Sequence, residues 1–240
     1  MKKLILKLFP LFIVTLFISN CGQKREQSQA NFGEVVFYEV FPKILDSIYS
    51  DHRIIPPPPP PEYFKFMDSS VNIEEGFEEW QKTDHFEKWL ANWEKTKDSI
   101  ARDTTTIYLV VPDSVSIKSN EDRTEFLNYI GLHENPTDSL IISNSFKLKL
   151  SKLKSNQKKI KFLYRSEFPE GREFWRTDYD IYIAASLGFS KIIFDKTKRF
   201  GVVNAGFVMG PLNGYGKRIF IRKDKNGNWV VDKVESTWIS

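Results

Sequence analysis

Apolar residues in the first half of the chain recur at the spacing of a helix face. A stripe with intervals of three and four residues predicts the first helix, and it consists of Phe37, Phe41, Ile44 and Ile48. Asn31, with Glu34 three residues later, is typical of a helix start, because the Asn side chain can accept hydrogen bonds from the first turn. Pro42 lacks an amide hydrogen and would kink this helix or split it in two.

A second helical pattern contains three of the six tryptophans. Helix starts are predicted at Asn72 and Asp84, with a break near Thr83 and an end around Arg102. Its apolar stripe comprises Phe77, Trp80, Phe86, Trp89, Leu90 and Trp93. A helix must bury such a stripe, so core packing is the preferred interpretation. A sugar-stacking platform built from the three tryptophans is the alternative.

Six consecutive prolines, Pro56 to Pro61, separate these two helical patterns. Such a run adopts the extended polyproline II conformation. A proline-binding partner is one interpretation of the run. A rigid spacer or a packed edge segment is the preferred one.

After Arg102 the pattern changes from helix to strand. Thr106 to Pro112 is rich in β-branched residues, and Leu140 to Leu150 contains apolar residues that alternate with lysines. The last four strands are the clearest, and they are predicted at 187–195, 199–209, 217–224 and 229–239. Residues 196–198 and 225–228 supply turns, the second with an Asn-Gly pair that tolerates positive φ. Residues 210–216 form a longer, glycine-rich connection.

These patterns predict an α+β fold in which a helical N-terminal half packs on a C-terminal antiparallel β-meander. Helices are expected over 33–103, which includes the proline segment 56–61. Strands are expected over 104–240. We expect 33–240 to form a single α+β domain.

The first twenty residues have the pattern of an export signal. Lys2, Lys3 and Lys7 precede an apolar run from Leu8 to Ile18. That run is too short for a membrane-spanning helix, which needs about 20 apolar residues. The only cysteine of the chain, Cys21, follows directly. An ordinary cleaved signal followed by an incidental cysteine is one interpretation.

Ile18-Ser19-Asn20-Cys21 resembles the lipobox of bacterial lipoproteins, although Asn20 departs from the commonest Gly, Ala or Ser. This resemblance implies a signal peptide over 1–20, cleavage before Cys21, and attachment of diacylglycerol and an acyl chain such as palmitate to that residue. Residues 21–32 would then be the lipidated cysteine and a polar tether. Several acyl chains form a stable membrane anchor.

The charge of the chain changes once the signal is removed. The whole sequence has 35 basic and 31 acidic residues. Without Lys2, Lys3 and Lys7, 32 basic residues remain against 31 acidic ones, a net charge of +1. A nearly neutral body argues against a nucleic-acid partner, because phosphate binding needs clustered basic charge. With one cysteine, no disulfide within the chain can form.

Two features of the tether indicate a location. In the lipoprotein family, a residue such as Gly22 after the cysteine favours the outer membrane. The tether lacks an acidic tag directly after Cys21, which favours a body that faces the periplasm. The predicted location is therefore the cell envelope, lipid-anchored in the outer membrane.

A further resemblance involves the C-terminal strands. Gly188-Phe189-Ser190-Lys191-Ile192-Ile193-Phe194-Asp195, the 210–216 connection, and Gly227-Asn228-Trp229 leading to Trp238-Ile239-Ser240 are similar to an uncharacterised family of bacterial lipoproteins. The similarity covers 187–240 and is fainter at Trp175 and over 34–58. Members often have cysteines where this chain has Met209 and Asn213, so a disulfide in this loop is absent here. The family has no established activity, so the resemblance implies architecture and location but no site.

The sequence offers little for metal or phosphate binding. His52, His85 and His133 share no ligand spacing, and a zinc site needs three or four donors. The glycine-rich 210–216 segment leads into a predicted strand instead of the helix that completes a phosphate cradle, so a hairpin loop is preferred. We expect no metal site and no cofactor.

The richest polar cluster lies between residues 165 and 180. Its carboxylates are Glu167, Glu170, Glu173, Asp178 and Asp180, and a pair of them could act as acid and base on a glycoside. A solvated, ion-paired connection is the preferred interpretation. The chain has no GxSxG nucleophile motif, and Ser190 stands in a strand pattern without one. We therefore expect no catalytic residue.

A lysine-rich segment follows the second strand pattern. Between residues 147 and 161 there are seven lysines and no acidic residue. Contact with anionic lipid head groups or polysaccharide near the anchor is one interpretation. An edge strand protected from aggregation by lysine is the preferred one.

Together these features predict an envelope lipoprotein, anchored through Cys21, that acts by binding as a non-catalytic accessory protein. Its partners would be the membrane and an envelope protein or polysaccharide. One alternative is a hydrolase of envelope polymer that uses carboxylates of 165–180. Another is a small-ligand carrier with a pocket between helices and sheet.

Overall fold

The computed structural model describes residues 32–66, 72–118, 122–132 and 140–240. These residues form two compact units, one of 50–105 and one that combines 32–49 with 106–240. The predicted signal, Cys21, the tether up to residue 31 and His133 lie outside the described residues. The single domain expected over 33–240 stays a prediction.

The smaller unit begins with the 3₁₀ turn His52–Ile54 and the proline segment, which leads into the 3₁₀ turn Pro61–Phe66. Helices α2, Ile73–Gln81, and α3, Asp84–Arg102, follow. The predicted break near Thr83 is confirmed. The Thr83 side chain accepts a hydrogen bond from the amide of Phe86 at 3.3 Å and so caps α3 one residue before the predicted start.

Trp80 is the centre of the core of this unit. Its side chain is fully buried, and its ring centroid lies 5.0 Å from those of Tyr63 and Phe86 and 5.4 Å from that of Trp89. The core-packing interpretation is therefore confirmed for Trp80. Trp89 and Trp93 remain partly exposed.

The larger unit is built on a mostly antiparallel sheet, and the predicted α+β class is confirmed. Ten strands lie within the described residues: β1 Ile107–Val111, β2 Ser114–Val115, β3 Leu140–Ile142, β4 Phe146–Lys147, β5 Ile160–Tyr164, β6 Tyr182–Phe189, β7 Ile193–Asp195, β8 Phe200–Gly210, β9 Asn213–Lys223 and β10 Trp229–Ile239. The main order is β10-β9-β8-β6-β1-β5, and β7 pairs with both β8 and β3. Strand β1 runs parallel to β5 and β6, while β2 and β4 form a separate pair.

The C-terminal meander differs from its prediction in two places. The first predicted strand, 187–195, is divided into β6 and β7. The 210–216 connection is a two-residue turn, since β8 ends at Gly210 and β9 begins at Asn213. The glycines of that segment therefore lie largely in a strand, and the prediction of a long loop was wrong. Cross-strand pairing continues to the end of β8 because small residues there leave room for close neighbours.

One face of the sheet is covered by helix α1, residues 32–48. The whole predicted stripe of this helix is buried, and Phe41 packs against Phe162 and Phe189 with ring centroids 5.4 and 5.8 Å apart. The helix continues without interruption through Pro42, so the predicted split is wrong. Burying one such side chain contributes about 1.5–3 kcal/mol, and four of them outweigh the hydrogen bond that proline removes.

On the opposite face, the described residues of the larger unit cover only part of the sheet. Helix α4, Asp122–Tyr129, places Phe126 against Ile193, Val202 and Phe220. The sequence analysis missed this helix. A short helix α5, Glu173–Arg176, follows β5. No described helix is both long and apolar enough to cross a membrane.

Candidate binding groove

The predicted carboxylate cluster lies on exposed surface. All five of its carboxylate residues are exposed. Glu167 accepts a hydrogen bond from the amide of Tyr164 at 3.0 Å, and Glu173 pairs with Arg176 at 3.0 Å. None of the five lines either of the two cavities described below. Glu167 and Glu173 therefore make local contacts, and all five side chains are solvated, in agreement with the preferred interpretation of a solvated connection.

The histidines are not assembled into a site by the described residues. His52 lies in the 3₁₀ turn before the prolines and His85 on α3. Within the four described ranges, no group of three or more His, Cys, Asp and Glu side chains could hold a metal ion.

The uncovered part of the sheet has a floor of glycine. Gly188 in β6 pairs with Gly206 in β8, which pairs with Gly216 in β9, and Trp238 in β10 is next in this row. A Cβ atom on Gly216 would lie 2.0 Å from Nε1 of Trp238, and one on Gly206 would lie 3.5 Å from the indole ring. The glycines therefore make room for the indole. Above Gly188 the space is open to at least 4 Å.

A groove with a volume of about 560 Å³ lies over this floor. One wall is formed by Thr237 and Trp238, whose side chain is 43% exposed, and the other by Ile117 and Lys118. The second wall is held in place because the amide of Lys191 donates to the carbonyl of Ile117 at 2.8 Å. The volume falls within the range of small-molecule sites, about 300–1,000 Å³.

The polar end of the groove is organised by Asp122, the first residue of α4. Its carboxylate is almost completely buried and accepts hydrogen bonds from Arg218 Nε at 2.8 Å and Asn204 Nδ2 at 2.7 Å. Arg218 Nη1 also lies 3.7 Å from the Glu235 carboxylate. Asp122 therefore fixes the orientation of the guanidinium and neutralises its charge, while Glu235 also pairs with Lys233 at 2.7 Å.

Ser190 lies beside this network, but its hydroxyl is engaged by backbone. The Oγ atom donates to the carbonyl of Lys191 at 3.1 Å and accepts from the amide of Asn204 at 2.9 Å. Neither described histidine lines the groove. The arrangement therefore offers hydrogen-bonding groups for a ligand but no nucleophile with an adjacent base.

A second polar cluster stands on the same face. The Tyr129 hydroxyl donates to Asp232 Oδ2 at 2.6 Å, and Arg222 donates to the other oxygen of that carboxylate. These two bonds lower the pKa of Asp232 below its usual range. Burial, followed by the bond to Asp232, raises the pKa of Tyr129. The cluster fastens β10 to α4 and β9.

A second cavity, of about 410 Å³, lies in the smaller unit. Trp89 and Trp93 line it together with Pro57, and their rings stack at 28° with centroids 6.2 Å apart. Trp80, the third member of the hypothetical sugar platform, is fully buried and takes no part. A platform of all three tryptophans is therefore wrong.

Sequence analysis missed Asp122, Arg218 and Trp238 as members of a site. One signal was present, because Gly214 and Gly216 are two residues apart and so lie on the same face of a strand. Glycine on one strand face marks a place where another group comes close to the backbone. The ion pair had no signal, since its partners are 96 residues apart.

Comparisons of the chain with models of known protein families, with curated proteins and with solved structures find no match.

Proposed function

We propose that this chain is an exported lipoprotein, anchored through lipid on Cys21, that displays a non-catalytic binding groove to the cell envelope. The export signal of 1–20 and the lipobox-like Ile18-Ser19-Asn20-Cys21 support the anchor. The groove supports binding.

The half-exposed indole of Trp238 is the observation that carries the binding proposal. It presents a flat apolar surface beside a row of glycines, and the partly exposed guanidinium of Arg218 supplies hydrogen-bonding groups farther along the same groove. A ligand with an apolar face and several hydroxyl groups matches both surfaces. Because Asp122 neutralises the charge of Arg218 and Glu235 pairs with Lys233 at 2.7 Å, this ion-paired end of the groove favours an uncharged ligand. A saccharide segment of an envelope polymer fits this description.

The groove is suited to an extended ligand. Ile117 on one wall is 65% exposed and Trp238 on the other is 43% exposed, so both walls face solvent. A carrier that encloses a small ligand buries most of the ligand surface. The exposed walls therefore favour the binding of a polymer segment over the alternative of a small-ligand carrier.

The decisive experiment compares two tryptophans for binding to soluble oligosaccharides released from the envelope polymer. Trp238→Ala should weaken binding by about tenfold or more, because aromatic side chains in a binding site contribute about 1–3 kcal/mol. Trp93→Ala, at the cavity of the smaller unit, should leave binding unchanged. Isothermal titration calorimetry measures both.

If Trp93→Ala weakened binding and Trp238→Ala did not, the binding site would lie in the smaller unit, and the proposal that the groove binds the ligand would be refuted. Binding that survives both substitutions would refute the proposal that an aromatic surface recognises the ligand. Circular dichroism of both variants verifies that their folds are intact.

A further inference from the structure

The lysine-rich segment 147–161 lies along helix α1. Lys152 Nζ is 3.1 Å from Glu34 Oε1, and the amide of Lys149 donates to the Tyr38 hydroxyl at 2.7 Å. Farther along the helix, Asn156 Nδ2 donates to Asp46 Oδ2 at 2.6 Å. The segment therefore follows α1 from its first turn to its last.

Buried leucines hold the segment in place and direct its lysines outward. Leu148 and Leu153 are 2% and 7% exposed and belong to the core that contains the α1 stripe. Five exposed lysines of the segment make no ion pair with any residue that the structure describes, namely Lys147, Lys149, Lys154, Lys158 and Lys161. Of the α1 carboxylates, Glu34 pairs with Lys152, Asp46 accepts from Asn156, and Glu39 accepts from the amide of Trp229. The surface is therefore strongly positive.

This surface is close in sequence to the proposed anchor. Eleven residues lead from Cys21 to Phe32, which begins the described part of α1. Even fully extended, a chain of that length spans at most about 40 Å. The lysine that pairs with Glu34 therefore lies within about that distance of the proposed lipid anchor.

We propose that the 147–161 surface faces the membrane and binds the phosphate groups of anionic phospholipids in the leaflet that holds Cys21. The inference rests on the proposed lipid anchor. Each lysine near an anionic surface strengthens attachment. Helix α1 covers one face of the sheet and the groove lies on the other, so this orientation opens the groove away from the bilayer.

Site-specific fluorescence tests the orientation. In the lipidated protein, Ser151→Cys adds one free thiol at an exposed position of the segment. The labelled protein is reconstituted in vesicles of phosphatidylcholine alone or with phosphatidylglycerol, each with a head-group quencher. We expect stronger quenching with phosphatidylglycerol, and this difference should vanish at 1 M salt, where the Debye length is about 3 Å.

Two triple variants of equal charge provide the comparison. The first variant combines Lys149→Gln, Lys154→Gln and Lys158→Gln. It should lower the ratio of membrane-facing to other orientations on the order of a hundredfold and abolish the difference in quenching between the two vesicle types. The second variant combines Lys88→Gln, Lys196→Gln and Lys225→Gln, which lie at exposed positions elsewhere. It should preserve the difference in quenching. Equal quenching in both vesicle types, or equal loss in both triple variants, would overturn the proposal.

Mass spectrometry separates this inference from the anchor. An unlipidated protein that still binds phosphatidylglycerol vesicles through the segment would refute the lipid anchor and support membrane binding by the 147–161 surface. A lipidated protein whose quenching does not depend on phosphatidylglycerol would support the lipid anchor and refute membrane binding by the 147–161 surface. An unlipidated protein that does not bind would refute both.

Discussion

Two aspartate–arginine pairs on the open face of the sheet differ mainly in burial. In the pair between Asp122 and Arg218 the side chains are 1% and 15% exposed, whereas in the pair between Asp232 and Arg222 they are 30% and 44% exposed. A buried carboxylate loses its hydrogen bonds to water, and hydrogen bonds to protein groups must replace them. An exposed one keeps water as an alternative partner. The same residue types therefore have different consequences at the two positions.

We expect Asp122→Asn to lower the free energy of unfolding by about 3 kcal/mol, because it leaves the mostly buried guanidinium of Arg218 without its main counter-charge. The matched control, Asp232→Asn, should cost about 1 kcal/mol or less. Urea denaturation followed by circular dichroism measures both. Equal losses would mean that burial does not determine the strength of these pairs.

Among the secondary-structure elements, α1 depends most directly on close packing at a single glycine. Gly33 is buried in its first turn, and a Cβ atom there would lie 2.3 Å from Cβ of Ser143. Ser143 cannot withdraw easily, because its amide donates to the carbonyl of Ile192 at 2.9 Å and its Oγ accepts from the amide of that residue at 3.0 Å. This part of the helix is thereby fixed against the residue that follows β3 and the residue that precedes β7.

Gly33→Ala should lower the free energy of unfolding by about 1–2 kcal/mol, although alanine has the higher helix propensity. Adding Ser143→Gly removes the opposing Cβ atom, so the two substitutions should show a coupling of about 1 kcal/mol in a double-mutant cycle. Thermal denaturation of the four proteins gives this value. An increase in stability for Gly33→Ala alone would contradict the close contact.

The turns of the meander show what a local pattern can predict. Asp195 accepts hydrogen bonds from the amides of Thr197, Arg199 and Phe200, which explains the turn predicted at 196–198. At the Asn-Gly pair only Gly227 has positive φ, at 84°. Asp224 accepts from the amides of Asn226 and Asn228, so this turn does not use the positive φ that asparagine tolerates. A neighbouring side chain selected the turn type.

For the whole molecule, the proposals separate three functions among parts of the chain. Cys21 would hold the protein to the membrane, the 147–161 surface would orient the larger unit, and the groove beside Trp238 would bind the ligand. The last two lie on opposite faces of one sheet. This separation permits the anchor to be tested without disturbing the fold.

Cys21→Ala should yield a protein that lacks lipid and is released from membranes, since no acyl chain remains to partition into the bilayer. Fractionation of cells and mass spectrometry of the product measure both properties. Ser28→Ala, in the predicted tether, is the matched control and should remain lipidated and membrane-bound. Membrane binding of Cys21→Ala with unchanged mass would refute the lipoprotein proposal.

The sequence by itself determined the elements whose signals are local. The α1 stripe, the break near Thr83, the β1 strand and the last strands follow from periodicity, capping residues and turn residues that lie within a few positions of one another. Only the tertiary structure decided the remainder. It determined that α1 continues through Pro42, that β1 pairs in parallel with β5 and β6, and that Asp122 meets Arg218. These outcomes depend on burial and on contacts between residues far apart in the chain, and no local pattern contains that information.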